Sequence, residues 1–180
     1  MFDARHRFVL TYYWQVPGSK RSNWSRRVTT GWALSGIGTL QSGFPIRITS
    51  TSDQELMSSL DYEAVGEPNQ IAPFRLLNPQ SSGGYYFDPS SFTEAALGTI
   101  GNAPRMICCG PPIMNVDFGV HKNFNFAEGR YVQFRAEAFN LLNHTNFAPA
   151  GGLNSNSSGF GVFTSTFPAR QVQLAAKLIF

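Results

Sequence analysis

The closing segment Arg170–Phe180, RQVQLAAKLIF, changes side-chain character from one residue to the next. Val172, Leu174, Ala176, Leu178 and Phe180 fall on one parity. Gln171, Gln173, Ala175 and Lys177 fall on the other, with Ile179 the exception. A period of two puts alternate residues on opposite faces of a β-strand. Strands of soluble proteins run to about five or six residues, whereas about ten tilted residues cross a bilayer. The segment therefore reads as a strand with one face toward lipid and the other toward something wetter.

Composition narrows the choice. Charged residues make up 14% of the chain, against about 25% in an average soluble domain. Aromatics reach 14%, with 16 Phe among 180 residues. Apolar residues are interleaved with Ser, Thr, Asn and Gln, and no run approaches the roughly 18 apolar residues of a membrane-spanning helix. A β-rich membrane barrel and a soluble β-sandwich both fit. The net charge is +3, and the basic residues are scattered apart from Lys20-Arg21 and Arg26-Arg27. Those pairs flank a short segment read as a solvated turn, and no basic face is large enough for nucleic acid. Cys108 and Cys109 are adjacent. Neighbouring cysteines bond each other only with strain, and no second pair completes a metal site. They read as two ordinary thiols in a loop. Met1-Phe-Asp-Ala-Arg-His-Arg lacks the apolar core of a signal peptide, so an export signal is expected to be missing.

The same alternation marks four more strands. The first is His6 to Val16, with Phe8, Leu10, Tyr12, Trp14 and Val16 on one face, ended by Pro17-Gly18-Ser19. The second runs from Thr30 toward Ile48, with Trp32, Leu34, Leu40, Phe44, Ile46 and Ile48 sharing parity. The third is Met114 to Phe124, with Val116, Phe118 and Val120 opposed to Asp117, Gly119, His121 and Asn123. Ala127-Glu128-Gly129 makes a tight turn into the fourth, Arg130 to Leu142, where Val132, Phe134, Ala136 and Ala138 oppose Gln133, Arg135 and Glu137. Between strands two and three lies a long Pro-rich stretch, Ser50–Pro112, with short helical turns expected near Asp53–Leu60 and Ser90–Leu97. Asn143–Ala169 is a second long loop.

The connections alternate short, long, short, long. Outer-membrane barrels have short periplasmic turns and long extracellular loops. On that rule Pro17–Thr29 and Asn125–Gly129 are periplasmic, Ser50–Pro112 and Asn143–Ala169 are extracellular, and Phe180 ends in the periplasm. An Arg on the lipid face near the midplane costs roughly 2–4 kcal/mol. The register above avoids that cost by turning Arg135, Glu137 and Lys177 toward the lumen. Lys122 has lipid parity but lies near a periplasmic end, where its stem can snorkel. Tyr12, Trp14, Trp32, Phe124, Phe126, Tyr131, Phe139 and Phe180 are candidates for the interfacial aromatic girdles.

Catalytic and metal chemistry find no support. His6, His121 and His144 lack metal-ligand spacing such as H-E-x-x-H, and no G-x-S-x-G elbow occurs. Asp117 and His121 share a face about 13 Å apart, and read as wet lumen residues rather than partners. Arg135 and Glu137 read as part of an inward charge ladder. No enzyme, cofactor or metal is expected.

RHRFVLTYYWQVPG and GWALSGIGTLQSGFPIRI resemble the late strands of TonB-dependent outer-membrane receptors, closest to the Oar-like branch. GNAPRMICCGPPIMNVDFGVHKNFNF, FRAEAFNLLNHTNF and PARQVQLAAKLIF resemble the C-terminal end of that branch, in the family's order. The resemblance implies a barrel of about 22 strands closed by a plug, taking up large ligands such as siderophores or oligosaccharides with energy from the TonB complex. It also implies that the last strand carries the signal read by the barrel-assembly machinery. Leu178 and Phe180 match its apolar positions, and Ala175 stands where the family often has Gly.

The expectation is thus an all-β chain, residues 1–180 forming about five C-terminal strands of a transmembrane receptor barrel. It sits in bacterial outer-membrane lipid, lacks the plug and signal peptide, and does not transport alone. The alternative is a soluble β-sandwich that binds carbohydrate or mediates adhesion.

Overall fold

The computed structural model describes residues 3–18, 23–56, 66–148 and 153–180. Five long strands form one antiparallel sheet in chain order: β1 (Arg7–Gln15), β2 (Trp32–Gln41), β3 (Ile113–Ala127), β4 (Arg130–Phe139) and β5 (Gln171–Ile179). Each pairs only with its sequence neighbours, as a meander. Among the described residues all five long strands lie in this one sheet, whereas a sandwich divides its strands between two packed sheets.

The registers carry one parity across the whole sheet. Tyr12 opposes Gly36, Gly36 opposes Phe118, Phe118 opposes Ala138, and Ala138 opposes Val172. Directly opposed residues share a face, so every even-numbered strand residue outside the β3 bulge lies on one side and every odd-numbered one on the other. Gly36 lacks a side chain because the Tyr12 ring fills its place: a Cβ there would meet the Tyr12 hydroxyl at 2.4 Å. Glu128 and Gly129 turn β3 into β4, with Gly129 at φ +71°, a conformation glycine adopts without strain.

The chain divides into two compact units, and the sheet belongs to residues 6–41, 113–146 and 167–180. The other unit comprises residues 1–5, 42–112 and 147–166. Sequence reading treats most of this second unit as irregular loop, but it has a core of its own. Ile46, Ile48, Phe87, Phe92, Ala103, Ile107, Phe160 and Phe163 are buried together. Its rings meet edge to face, Phe87 with Phe160 at 5.2 Å and Tyr86 with Phe163 at 5.0 Å, the arrangement aromatic quadrupoles prefer. Two short ladders tie it, Ile48–Thr49 parallel to Leu153–Asn154 and Asn69–Gln70 antiparallel to Phe92–Thr93.

Several expectations are corrected. Strand two stops at Gln41, and Ile46 and Ile48 belong to the other unit's core. Pro45 has no N–H to continue a ladder, and Gly43 passes so close to Gly110 that a Cβ would overlap its carbonyl. The helical turn expected over Ser90–Leu97 is a single 3-10 turn, Pro89–Ser91, followed by the strand pair at Phe92–Thr93. Asp88 caps it, its carboxylate accepting from Ser90 N at 2.9 Å. That expected near Asp53–Leu60 is a turn at Gln54–Glu55, and its remainder from residue 57 lies outside the described residues. The sulfur atoms of Cys108 and Cys109 lie against each other.

The largest correction falls between β1 and β2. The segment read as a solvated turn contains helix α1 (Asn23–Thr29), which carries Arg26 and Arg27 in its last turn. Lys20 and Arg21 lie outside the described residues. Gly31, at φ +80°, stands just past the helix end, where a left-handed residue commonly terminates a helix.

Candidate functional site

The sheet offers two chemically different faces. The even face shows Phe8, Leu10 and Trp14 from β1, Leu40 from β2, Phe124 from β3, Phe134 from β4, and Val172, Leu174 and Leu178 from β5, all exposed. Its one interior charge is Lys122, while Arg130 stands at the margin where β4 begins. The odd face carries Arg7, Asp117, His121, Arg135, Glu137 and Lys177 among Thr, Asn, Gln and Ser, with Val9, Tyr13, Ile37 and Phe139 between them.

Arg135, Glu137 and Lys177 thus share the polar face. Arg135 opposes His121, and Lys177 opposes Gln133. The Arg135 Nε donates to Gln133 Oε1 at 2.6 Å. Glu137 lies opposite Gly119 and Gln173, and the Arg135 bond runs to an amide. Asp117 and His121 have separate partners. Asp117 Oδ1 accepts from Asn115 Nδ2 and from the Asn140 backbone N–H, each at 2.9 Å. His121 Nε2 and Ser35 Oγ lie 2.9 Å apart, in a space that Gly119 leaves open, since a Cβ there would sit 2.9 Å from Ser35 Oγ. Leu178 is on the even face opposite Val132. Phe180 follows the last paired residue and is 93% exposed.

Of the expected girdle aromatics, Trp14, Trp32 and Phe124 share the even face near the α1 end of the sheet. Tyr131 and Phe139 have odd parity and point to the polar face, which removes them from that girdle.

Lys122 is the clearest departure from expectation. It is 4% exposed and does not snorkel outward. Its ammonium donates to the backbone carbonyls of Arg27 at 3.1 Å, Val28 at 3.0 Å and Thr30. The last carbonyls of a helix have no partner within it, and a cation there also meets the negative end of the helix dipole. Trp32 Nε1 adds a bond to the Val28 carbonyl at 2.7 Å. The same ammonium lies 5.1 Å from the Trp32 ring centre and 5.0 Å from that of Phe124, within cation–π range. The signals for α1 were present in the sequence, basic residues followed by Gly31, but seven residues are too few for a helical period to show.

The block FNLLNHTNF proves to be a turn lock at the other end. Asn146, 4% exposed, accepts from Met114 N and donates to Met114 O, both at 2.8 Å. Asn140, at φ +50°, donates to the His144 carbonyl at 2.9 Å and accepts from its N–H at 3.0 Å.

Among the described residues, no group of three acidic, His or Cys side chains could hold a metal, and no helix is long and apolar enough to cross a membrane. Strands of 9 to 15 residues are long enough for the corresponding work. Ten residues at about 3.4 Å each, tilted by about 45°, span about 24 Å, which matches an apolar band about 25 Å tall.

A meander of such strands, apolar on one face and polar on the other, defines a transmembrane β-barrel sheet. Residues 1–173 match the family described as Outer membrane beta barrel domain, and the chain belongs to that family. It is accordingly a protein of the bacterial outer membrane. No curated protein and no solved structure matches it.

Proposed function

We propose that this sheet is an arc of a TonB-dependent outer-membrane receptor of the Oar-like type, serving uptake of a large ligand such as a siderophore or oligosaccharide. One observation supports the membrane half of the reading: the even face exposes apolar side chains from all five strands around a single interior charge. Contiguous apolar patches beyond a few hundred Å² are rare on soluble monomers. In this reading the even face meets lipid, and Arg135, Glu137 and Lys177 face the lumen. The two short connections lie in the periplasm with the C-terminus, and the two long ones are extracellular, in keeping with the length rule for such barrels.

The sheet's outer edges are β1 and β5. Unpaired backbone groups in lipid cost several kcal/mol each, and the smallest closed barrels have about eight strands. The arc therefore works together with further strands, and the TonB complex acts through a plug beyond it. Leu178 and Phe180 serve the barrel-assembly machinery, and no residue has a catalytic part. The transport half rests on the resemblance of the FRAEAFNLLNHTNF and C-terminal segments. Cells carrying the intact receptor, given a panel of labelled siderophores, oligosaccharides and vitamins, should accumulate one class only when TonB is active. Accumulation indifferent to TonB would remove the transport assignment.

A further inference from the structure

The connection α1 sits where the apolar face ends, and two features meet there. The first is a cleft of about 790 Å³ lined by Arg26, Arg27, Asn123, Phe124 and Asn125. The second is a groove of about 580 Å³ on the even face, lined by Trp32, Phe124, Phe134, Ala136, Leu174 and Ala176. Phe124 borders both. The groove exists because Ala136 and Ala176 leave a depression beside the Phe124 and Phe134 rings, which pack edge to face at 5.8 Å.

The geometry points to a glycerophospholipid site here, with the phosphate on Arg26 and Arg27 and one acyl chain along the groove. It rests on the reading that the even face meets lipid. Arginine is suited to the head group because its planar fork engages phosphate oxygens in pairs. Lys122, which also lines the groove, is already committed to three helix carbonyls, and this same contact holds the last turn of α1, and so both arginines, in place. Around them Trp24 is 76% exposed and Phe126 60% exposed, amphipathic and apolar groups of the kind that settle at the head-group boundary. An acidic protein segment would use the arginines and leave the groove empty. A lipid uses both, because its charge and its chain are joined in one molecule.

The test is native mass spectrometry of the receptor purified from outer membranes in detergent, stripped of lipid and titrated with dioleoyl-phosphatidylglycerol. The R26Q/R27Q variant should retain it about tenfold less well than the native protein, with R26K/R27K in between, since a lysine keeps the charge and loses the fork. Heat-modifiable mobility should be unchanged in all three. Equal retention by R26Q/R27Q, or preferential retention of lipid A, overturns the site. In parallel, a bimane label on Leu174→Cys is read against brominated acyl chains. Quenching with no arginine dependence defeats the site alone. Absence of quenching defeats the lipid-face reading on which it rests.

Discussion

The ammonium of Lys122, on strand β3, lies 3.0 Å from the backbone carbonyl oxygen of Val28, in the last turn of helix α1. A strand side chain therefore finishes a helix formed in the connection two strands earlier. The arrangement explains how a cation is held on an otherwise apolar face: its three hydrogens find three carbonyls, and its flanks find the Trp32 and Phe124 rings.

Lys122→Met keeps the stem and removes the donor. It takes the ammonium from the Arg27 and Thr30 carbonyls and leaves Val28 with the Trp32 indole alone, a loss of about 2 kcal/mol on the usual scale for a buried unsatisfied group. Helix α1 should then fray. Trypsin should cut after Arg26 and Arg27 several times faster in the folded variant than in the native protein, with the strands still protected. An unchanged cleavage rate would show that the contact does not hold the helix.

Asn146 spans the β3 end of the sheet by pairing with both backbone groups of Met114. Asn146→Ala removes both bonds at a buried position and should lower stability by about 2 kcal/mol, seen as a lower urea midpoint. Asn146→Asp retains the acceptor but not the donor and should recover little of the loss.

Asp88 gives a local pH dependence. Hydrogen bonds from the Ser90 side chain and backbone hold its carboxyl below the usual 3.8. A carboxylate with a lowered value stabilises the folded turn above its unfolded value, and that contribution fades as pH falls through the folded one. An NMR titration of Asp88 should give a midpoint below 3.8, and Ser90→Ala should move it upward. The amide of Ser90 should lose exchange protection over the same acidic range.

The five strands were legible because a period of two survives whatever surrounds it: Leu10, Leu34, Val120, Ala136 and Leu174 fall on one face by parity alone. The second unit was not legible. Its core joins Phe87 to Phe160 and Ile48 to Leu153, contacts between distant segments with no shared period, so ring packing and polar turns replaced the pattern a reader can count. Ile46 and Ile48 misled for the same reason. Their parity continues that of β2, yet Pro45 had already ended the ladder. Tyr131 and Phe139 show the opposite error, where aromatic character outweighed a parity that was plain in the sequence.

The face assignment itself has a sharp test in two adjacent residues of β5. Leu174 is 78% exposed on the even face, and Gln173 opposes Glu137 on the odd face. If both faces met water, Leu174→Arg and Gln173→Arg would each change stability by no more than about 0.5 kcal/mol, as surface substitutions usually do. If the even face meets lipid, Leu174→Arg near the middle of a spanning strand should cost about 2–4 kcal/mol. Gln173→Arg should then cost little, since it adds a cation beside Glu137 in a wet lumen. The measurement is the urea midpoint of the heat-modifiable form refolded into phosphatidylcholine vesicles of didodecanoyl chains. A large loss for L174R with little change for Q173R supports the assignment, and the reverse order would place the polar face against lipid and sink it.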